Sequence, residues 1–195
     1  MPATLTSAML ADLHKGNAAI LLKACPANGE VTLTAMDFSA EDKIFTIKDS
    51  FNISQAEPTI TEIKIDQGDD LIDTDAEKGE WTLTGKIPSN ATALYDYFYT
   101  ASATAVSGVK GDGGKQYAGK AYFSDPKEVV CSILVESQSR KSAVLFARVK
   151  LTVNQSEDDN ANPMYLNFKG TVLKNLESGV GDFAILPTAT TISGS

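Results

Sequence analysis

The side chains best suited to chemistry near neutral pH are few in this sequence: one histidine, two cysteines and 25 carboxylates. His14 stands beside Lys15. No G-x-S-x-G elbow or clustered base accompanies it, so the nucleophile, base and orienting group of a triad are not assembled. Cys131 lies inside the apolar run VVCSILV, far along the chain from Cys25, and both read as reduced structural thiols. The run GVKGDGGKQ, Gly108 to Gln116, approaches a phosphate-cradling loop. It fails as one, because Val109 occupies the place of the first glycine in G-x-x-x-x-G-K-[ST] and Gln116 replaces the magnesium-binding hydroxyl.

The carboxylates offer more, without selecting a site. Asp66, Asp69, Asp70, Asp73 and Asp75 could ligate calcium, but they lack the Asp-x-Asp-x-Asp-Gly frame of a helix-loop-helix site. Glu157, Asp158 and Asp159 form a second solvated cluster. A glycosidase needs only two acids, and nothing in the spacing singles out a pair. Trp81, Tyr95, Tyr97 and Tyr99 could stack on sugars, with core packing as the competing use. The sequence therefore assigns no catalytic residue, no metal ligand and no cofactor, and predicts a protein that is not an enzyme.

The elements that would carry any function are clearest between Glu57 and Thr100. Thr61, Ile63 and Ile65 alternate with Glu62, Lys64 and Asp66, and Trp81, Leu83, Gly85 and Ile87 alternate with Thr82, Thr84 and Lys86. Both patterns predict strands with one wet face. The connection 67–80 holds Asp69, Asp70, Asp73, Asp75, Glu77 and Glu80 around Leu71 and Ile72. Hairpins need only two to five linking residues, so this connection predicts an arm that orders on a partner. After Pro88, Leu94, Tyr95 and Phe98 form the stripe of a short helix packed on a sheet.

Elsewhere, residues 7–15 predict a small helix, and Pro26 to Gly29 a turn joining strands 18–23 and 31–35 into a hairpin. Further strand signals fall at 43–48, 51–55, 121–123, 128–135, 143–153, 165–174 and 183–186. Residues 101–119, rich in glycine and small side chains, predict a flexible insertion. The pattern implies a mainly β fold: one domain over 1–187, an antiparallel β-sandwich or small barrel with a flanking α-helix, and a flexible tail at 188–195. Net charge is −8, with 16 acids and 7 bases in the first hundred residues. Such a surplus argues against tight nucleic-acid binding. No window approaches a membrane span and no basic leader opens the chain, which predicts a protein made in the cytoplasm.

A strand, a long acidic connection, a strand ending in Ile87-Pro88-Ser89 and a helix with Leu94, Tyr95 and Phe98 resemble the central part of the major tail tube proteins of long-tailed bacteriophages. These in turn resemble the tube proteins of type VI secretion. The resemblance implies a structural virion protein of the phage tail, whose hexameric rings stack into a hollow conduit. DNA would pass through it without specific binding. It implies partners in other copies of the chain and other tail proteins, and an inter-subunit arm containing Asp69, Asp70, Leu71, Ile72, Asp73, Asp75 and Glu77. Part of the acidic surplus would then face the lumen. A secretion-system tube protein and a carbohydrate- or ligand-binding β-sandwich are the alternatives.

Overall fold

Buried and half-exposed side chains alternate along Val129–Ser137 and Ala143–Gln155, where Cys131, Ile133 and Val135 point one way and Leu134 and Glu136 the other. That alternation is the period of a strand with one apolar face, and it organises the whole molecule. The computed structural model describes residues 17–39, 43–44, 46–47, 49–64, 71–88, 92–156 and 165–187. The chain runs β1 (Asn17–Ala24), β2 (Lys43–Ile44), β3 (Asn52–Gln55), β4 (Thr59–Lys64), β5 (Leu71–Glu77) and β6 (Trp81–Pro88). Helix α1 (Thr92–Phe98) follows, then β7 (Tyr99–Lys110), β8 (Gln116–Pro126), β9 (Val129–Ser137), β10 (Ala143–Gln155), β11 (Tyr165–Val172) and β12 (Phe183–Leu186). Among the described residues the fold is mainly β and antiparallel with one short α-helix, in line with the mainly β fold that the sequence predicts.

Eight strands form one sheet in the order β2-β1-β9-β10-β11-β6-β3, with β12 added to the first half of β10. Strands β2 and β3 end this order on opposite sides, yet they are neighbours in the chain. Ile44 pairs with Ile20 of β1, whereas Ile47 donates its N–H to the Lys86 carbonyl of β6 at 2.8 Å. Three residues span at most about 10 Å, so the two ends of the sheet meet and it rolls up around its apolar face. Phe146, Leu83, Ile133, Leu151 and Leu166 fill the interior, each at most 1% exposed. Space there is used up: a Cβ on Gly85 would lie 2.4 Å from the Phe168 ring. Phe98 of α1, fully buried, joins the same core.

Three segments differ from the sequence-based expectation. The turn at Pro26–Gly29 forms, with Gly29 N–H bonded to the Pro26 carbonyl at 2.9 Å and φ of +71°. Residues 31–35, however, do not pair with β1, because β2 and β9 already occupy both of its edges. Instead Asn175, buried at 3%, clamps Val31: its Oδ1 accepts from the Val31 N–H at 3.0 Å and its Nδ2 donates to the Val31 carbonyl at 2.8 Å.

The second difference concerns 67–80. From residue 71 this connection is a strand, β5, paired with β4, and β6 takes β3 rather than β4 as its hairpin partner. Asn52 lies opposite Thr84 and Gln55 opposite Trp81; the same register continues past Pro58 with Thr59 opposite Glu77 and Ile63 opposite Asp73. One long hairpin thus starts in the rolled sheet and runs out of it, interrupted where Pro58 has no N–H to give. At this neck Ala56 N–H bonds the Glu80 carbonyl at 2.9 Å, and a Cβ on Gly79 would fall 1.7 Å from the Ala56 oxygen. The third difference is 101–119, expected as an insertion without regular structure. It lies in β7 and β8, a second two-stranded ribbon turned by Asp112–Gly114, where Gly113 and Gly114 take positive φ. The predicted first helix with His14, residues 65–70 including Asp69 and Asp70, and the tail 188–195 lie outside the described residues.

Candidate interaction surfaces

The two ribbons leave opposite ends of the rolled sheet. Strand β6 begins at Trp81, whose ring packs on Phe183 of β12 at 5.4 Å and on Phe146 at 6.0 Å, so the β4–β5 hairpin and β12 share one end. Strand β6 finishes at Pro88 opposite Tyr165, beside the close of β10, where Gln155 pairs with Leu166. Helix α1 and the β7–β8 ribbon start from that other end. Among the described residues each ribbon pairs only within itself. The nine residues that follow Gln55, up to Lys64, at ~3.3 Å each carry the first at most about 30 Å past the sheet.

The base of the β7–β8 ribbon is fastened to α1. Tyr95 stacks on Tyr99 and on Tyr122 with centroids 5.7 and 5.5 Å apart. Lys120 Nζ donates to Asp96 Oδ2 at 2.6 Å, the Tyr122 hydroxyl donates to Asp96 Oδ1 at 3.0 Å, and Lys127 Nζ donates to the Asp96 carbonyl at 2.9 Å. Lys127 N–H closes the set on the Phe98 carbonyl at 2.7 Å. The Lys120 bond, then the Tyr122 bond, hold the Asp96 carboxyl below the usual carboxylate range, and Lys120 is raised by the same pair. Desolvation first, then Asp96, push the Tyr122 hydroxyl up.

A depressed carboxylate stabilises the state that holds it ionised, and that contribution disappears as pH falls through its folded pKa. Amide protection at the foot of the ribbon, residues 99–101 and 122–127, should therefore stay level from pH 7 to about 5 and decline below about pH 4. Asp96→Asn should show the low protection already at pH 7, with little change in melting temperature, because exposed pairs contribute little to global stability. Hydrogen exchange across this pH range is the measurement; protection in Asp96→Asn equal to wild type would remove the carboxylate from the fastening.

Of the residues singled out in the sequence, Phe98 lies in the core and Tyr95 against the base of the ribbon. Leu94 lies on α1. Leu71, Ile72, Asp73, Asp75 and Glu77 all belong to β5. Nine of the first hundred residues' 16 acids fall between Glu57 and Glu80, whereas the outer face of the sheet carries Lys23, Lys86, Lys150 and Lys169. Trp81, Tyr97 and Tyr99 are spent on packing rather than displayed for a sugar. Exposed instead are Val106, Val109, Tyr117 and Phe123 of the ribbon, none of them anticipated as a surface. The cue was present in Val109 and Tyr117, which flank the G-D-G-G turn.

The cysteines are both free. Burial pushes the Cys131 thiol up to about 12, far from a reactive thiolate. Cys25 is raised by partial burial, against its contact with the Ser132 hydroxyl. Among the described residues no three of His, Cys, Asp and Glu gather as metal ligands, and no helix is long and apolar enough to cross a membrane. No protein-family model and no curated protein matches the chain.

Proposed function

We propose that this chain is a structural subunit that assembles with copies of itself, in the manner of a phage tail tube protein: rings that stack into a hollow conduit. One observation carries the reading. A sheet rolled up on its core sends long two-stranded ribbons from its two opposite ends, and neither ribbon has a third strand to lie on among the described residues. An isolated two-stranded hairpin is marginal in water, so ribbons of this length are expected to lie on another surface.

The acidic β4–β5 hairpin is the arm of this proposal. It carries Asp73, Asp75 and Glu77 on β5, with Asp69 and Asp70 just before it in the sequence, and its partner is a neighbouring subunit. The charge distribution also sharpens what a lumen would require. With the acids on the arm and lysines on the sheet's outer face, a conduit that repels DNA is lined by arms, since a lysine-rich wall would hold phosphates. Electron microscopy of the concentrated protein tests the reading: six-fold rings or tubes are the expected result. A strict monomer at every concentration would sink it, as would a lumen lined by Lys86, Lys150 and Lys169.

A further inference from the structure

Three exposed apolar side chains, Val106, Val109 and Tyr117, share one face of the β7–β8 ribbon, and a fourth, Phe123, lies nearer its base. Val109 lies opposite Tyr117 and Val106 opposite Gly119, two positions along β8 from Tyr117; Phe123 lies further toward the base, next to the stretch where the register of β8 shifts between Tyr122 and Pro126. Their exposures are 37% for Val106, 50% for Val109, 56% for Tyr117 and 60% for Phe123. The other face holds Lys120 and Tyr122, which are turned to Asp96 of α1. Contiguous exposed apolar surface of this kind marks a contact site more often than chance scatter does.

A second exposed apolar surface lies at the opposite end. Phe183 and Ile185 of β12 stand across from Phe146 and Val144, so they prolong the inner apolar face out to the rim of the rolled sheet. There Ile185 is 68% exposed and Phe183 38% exposed. Among the described residues β12 pairs with β10 alone, which leaves its outer edge open.

We infer that these surfaces are the two halves of one joint: the apolar face of the ribbon seats on the Phe183–Ile185 rim of a second copy of this chain. The inference rests on the assembly reading above and names where copies meet. Charge selects a second copy as the occupant. The ribbon tip presents exposed Lys110 and Lys115 on either side of Asp112, a balance of +1, while the segments around the rim carry Glu77, Glu80, Glu136 and Asp182 against Lys78, Arg140 and Lys141, a balance of −1. Asp182 and Glu136 each meet one cation of their own chain only loosely, Lys78 at 3.7 Å and Arg140 at 4.0 Å. Because the halves sit at opposite ends, the contact is head to tail. Such a contact leaves a free half on each copy and propagates until a ring closes or a stack grows.

The test places one cysteine in each half of the full chain, Val109→Cys and Ile185→Cys, and bridges them with a short bis-maleimide. The double variant should give a ladder of dimer, trimer and higher species. Neither single variant should cross-link alone, which also controls for Cys25 and Cys131, while a mixture of the two should stop at dimer. Dimers from Val109→Cys alone would overturn the joint by showing ribbon against ribbon. Val109→Asp with Tyr117→Asp should raise the concentration of half-assembly at least about a hundred-fold. Microscopy on the same samples separates the two readings: a ladder without rings or tubes keeps the joint and defeats the conduit. Rings with no ladder, unaffected by the aspartates, keep the conduit and defeat the joint. No ladder and no rings, or recovery of the ribbon only with an unrelated protein, defeats it too.

Discussion

A chain in which residues 57–79 are replaced by Asn-Gly is expected to fold normally and to form no rings or tubes at any concentration. The cut follows the register. Ala56 and Glu80 are already hydrogen-bonded across the neck, and Asn-Gly is the two-residue loop that joins paired antiparallel strands without splaying them. Strands β4 and β5 pair with nothing else among the described residues, so the rolled sheet loses none of its own ladder. Among the described residues the only ion pair removed is Lys78 with Asp182, with Lys78 85% exposed, worth less than about 1 kcal/mol. Melting temperature should move by no more than about 3 °C. Size by light scattering and circular dichroism melts read both halves of the result. An unfolded product would show that the hairpin completes the core, and intact assembly would show that the arm is not the link between subunits.

Phe146→Ala should be the most damaging single substitution in the rolled sheet. The ring is fully buried, and it touches both Trp81 and Phe183, the side chains that join β6 and β12 to β10. Removing a buried phenylalanine costs about 3–5 kcal/mol, because transfer energy is lost and a cavity remains. For a chain of this length that is a fall in melting temperature of roughly 10 °C or more. Urea titration gives the free energy directly; a loss below about 1 kcal/mol would mean that neighbouring side chains collapse into the space. The same variant should loosen β12 locally, and hydrogen exchange at Phe183 to Leu186 would register it.

The contrast between legible and hidden parts of this fold has a physical cause. Strands β9 and β10 announce themselves because Cys131, Ile133 and Val135, and Val149, Leu151 and Val153, must each face the core while their neighbours face water. Strand β5 carries Asp73 and Asp75, residues that strands disfavour, and its ladder is made of backbone groups that leave no mark on composition. The small residues of β7 say equally little. Pro58 reads as the edge of a strand, yet the register of the long hairpin passes straight across it. For the candidate surfaces the obstacle is different. Val106, Val109, Tyr117 and Phe123 are spread over eighteen positions, with register shifts on both β7 and β8 that spoil a period of two. Only the pairing of β7 with β8 brings Val106, Val109 and Tyr117 to one face.

The way the sheet closes also bears on how the chain reaches its native state. Strand β1 is among the earliest segments, but its partner β9 lies more than a hundred residues later, with Leu22 opposite Ile133. Closing so long a loop costs entropy that only the completed sheet repays, so folding should be slow, on the order of milliseconds to seconds. The two hairpins bring residues together locally and can form in about 1–10 μs. We therefore expect refolding in which a tryptophan signal from Trp81, sited where hairpin and sheet join, lags behind the gain of strand signal in circular dichroism. Simultaneous change in both signals under stopped flow would show that the ribbons wait for the sheet. During synthesis, β1 would have only the two-residue pairing with β2 on one edge while its long partner β9 is made, which makes the interval before β9 emerges the period of greatest exposure to aggregation.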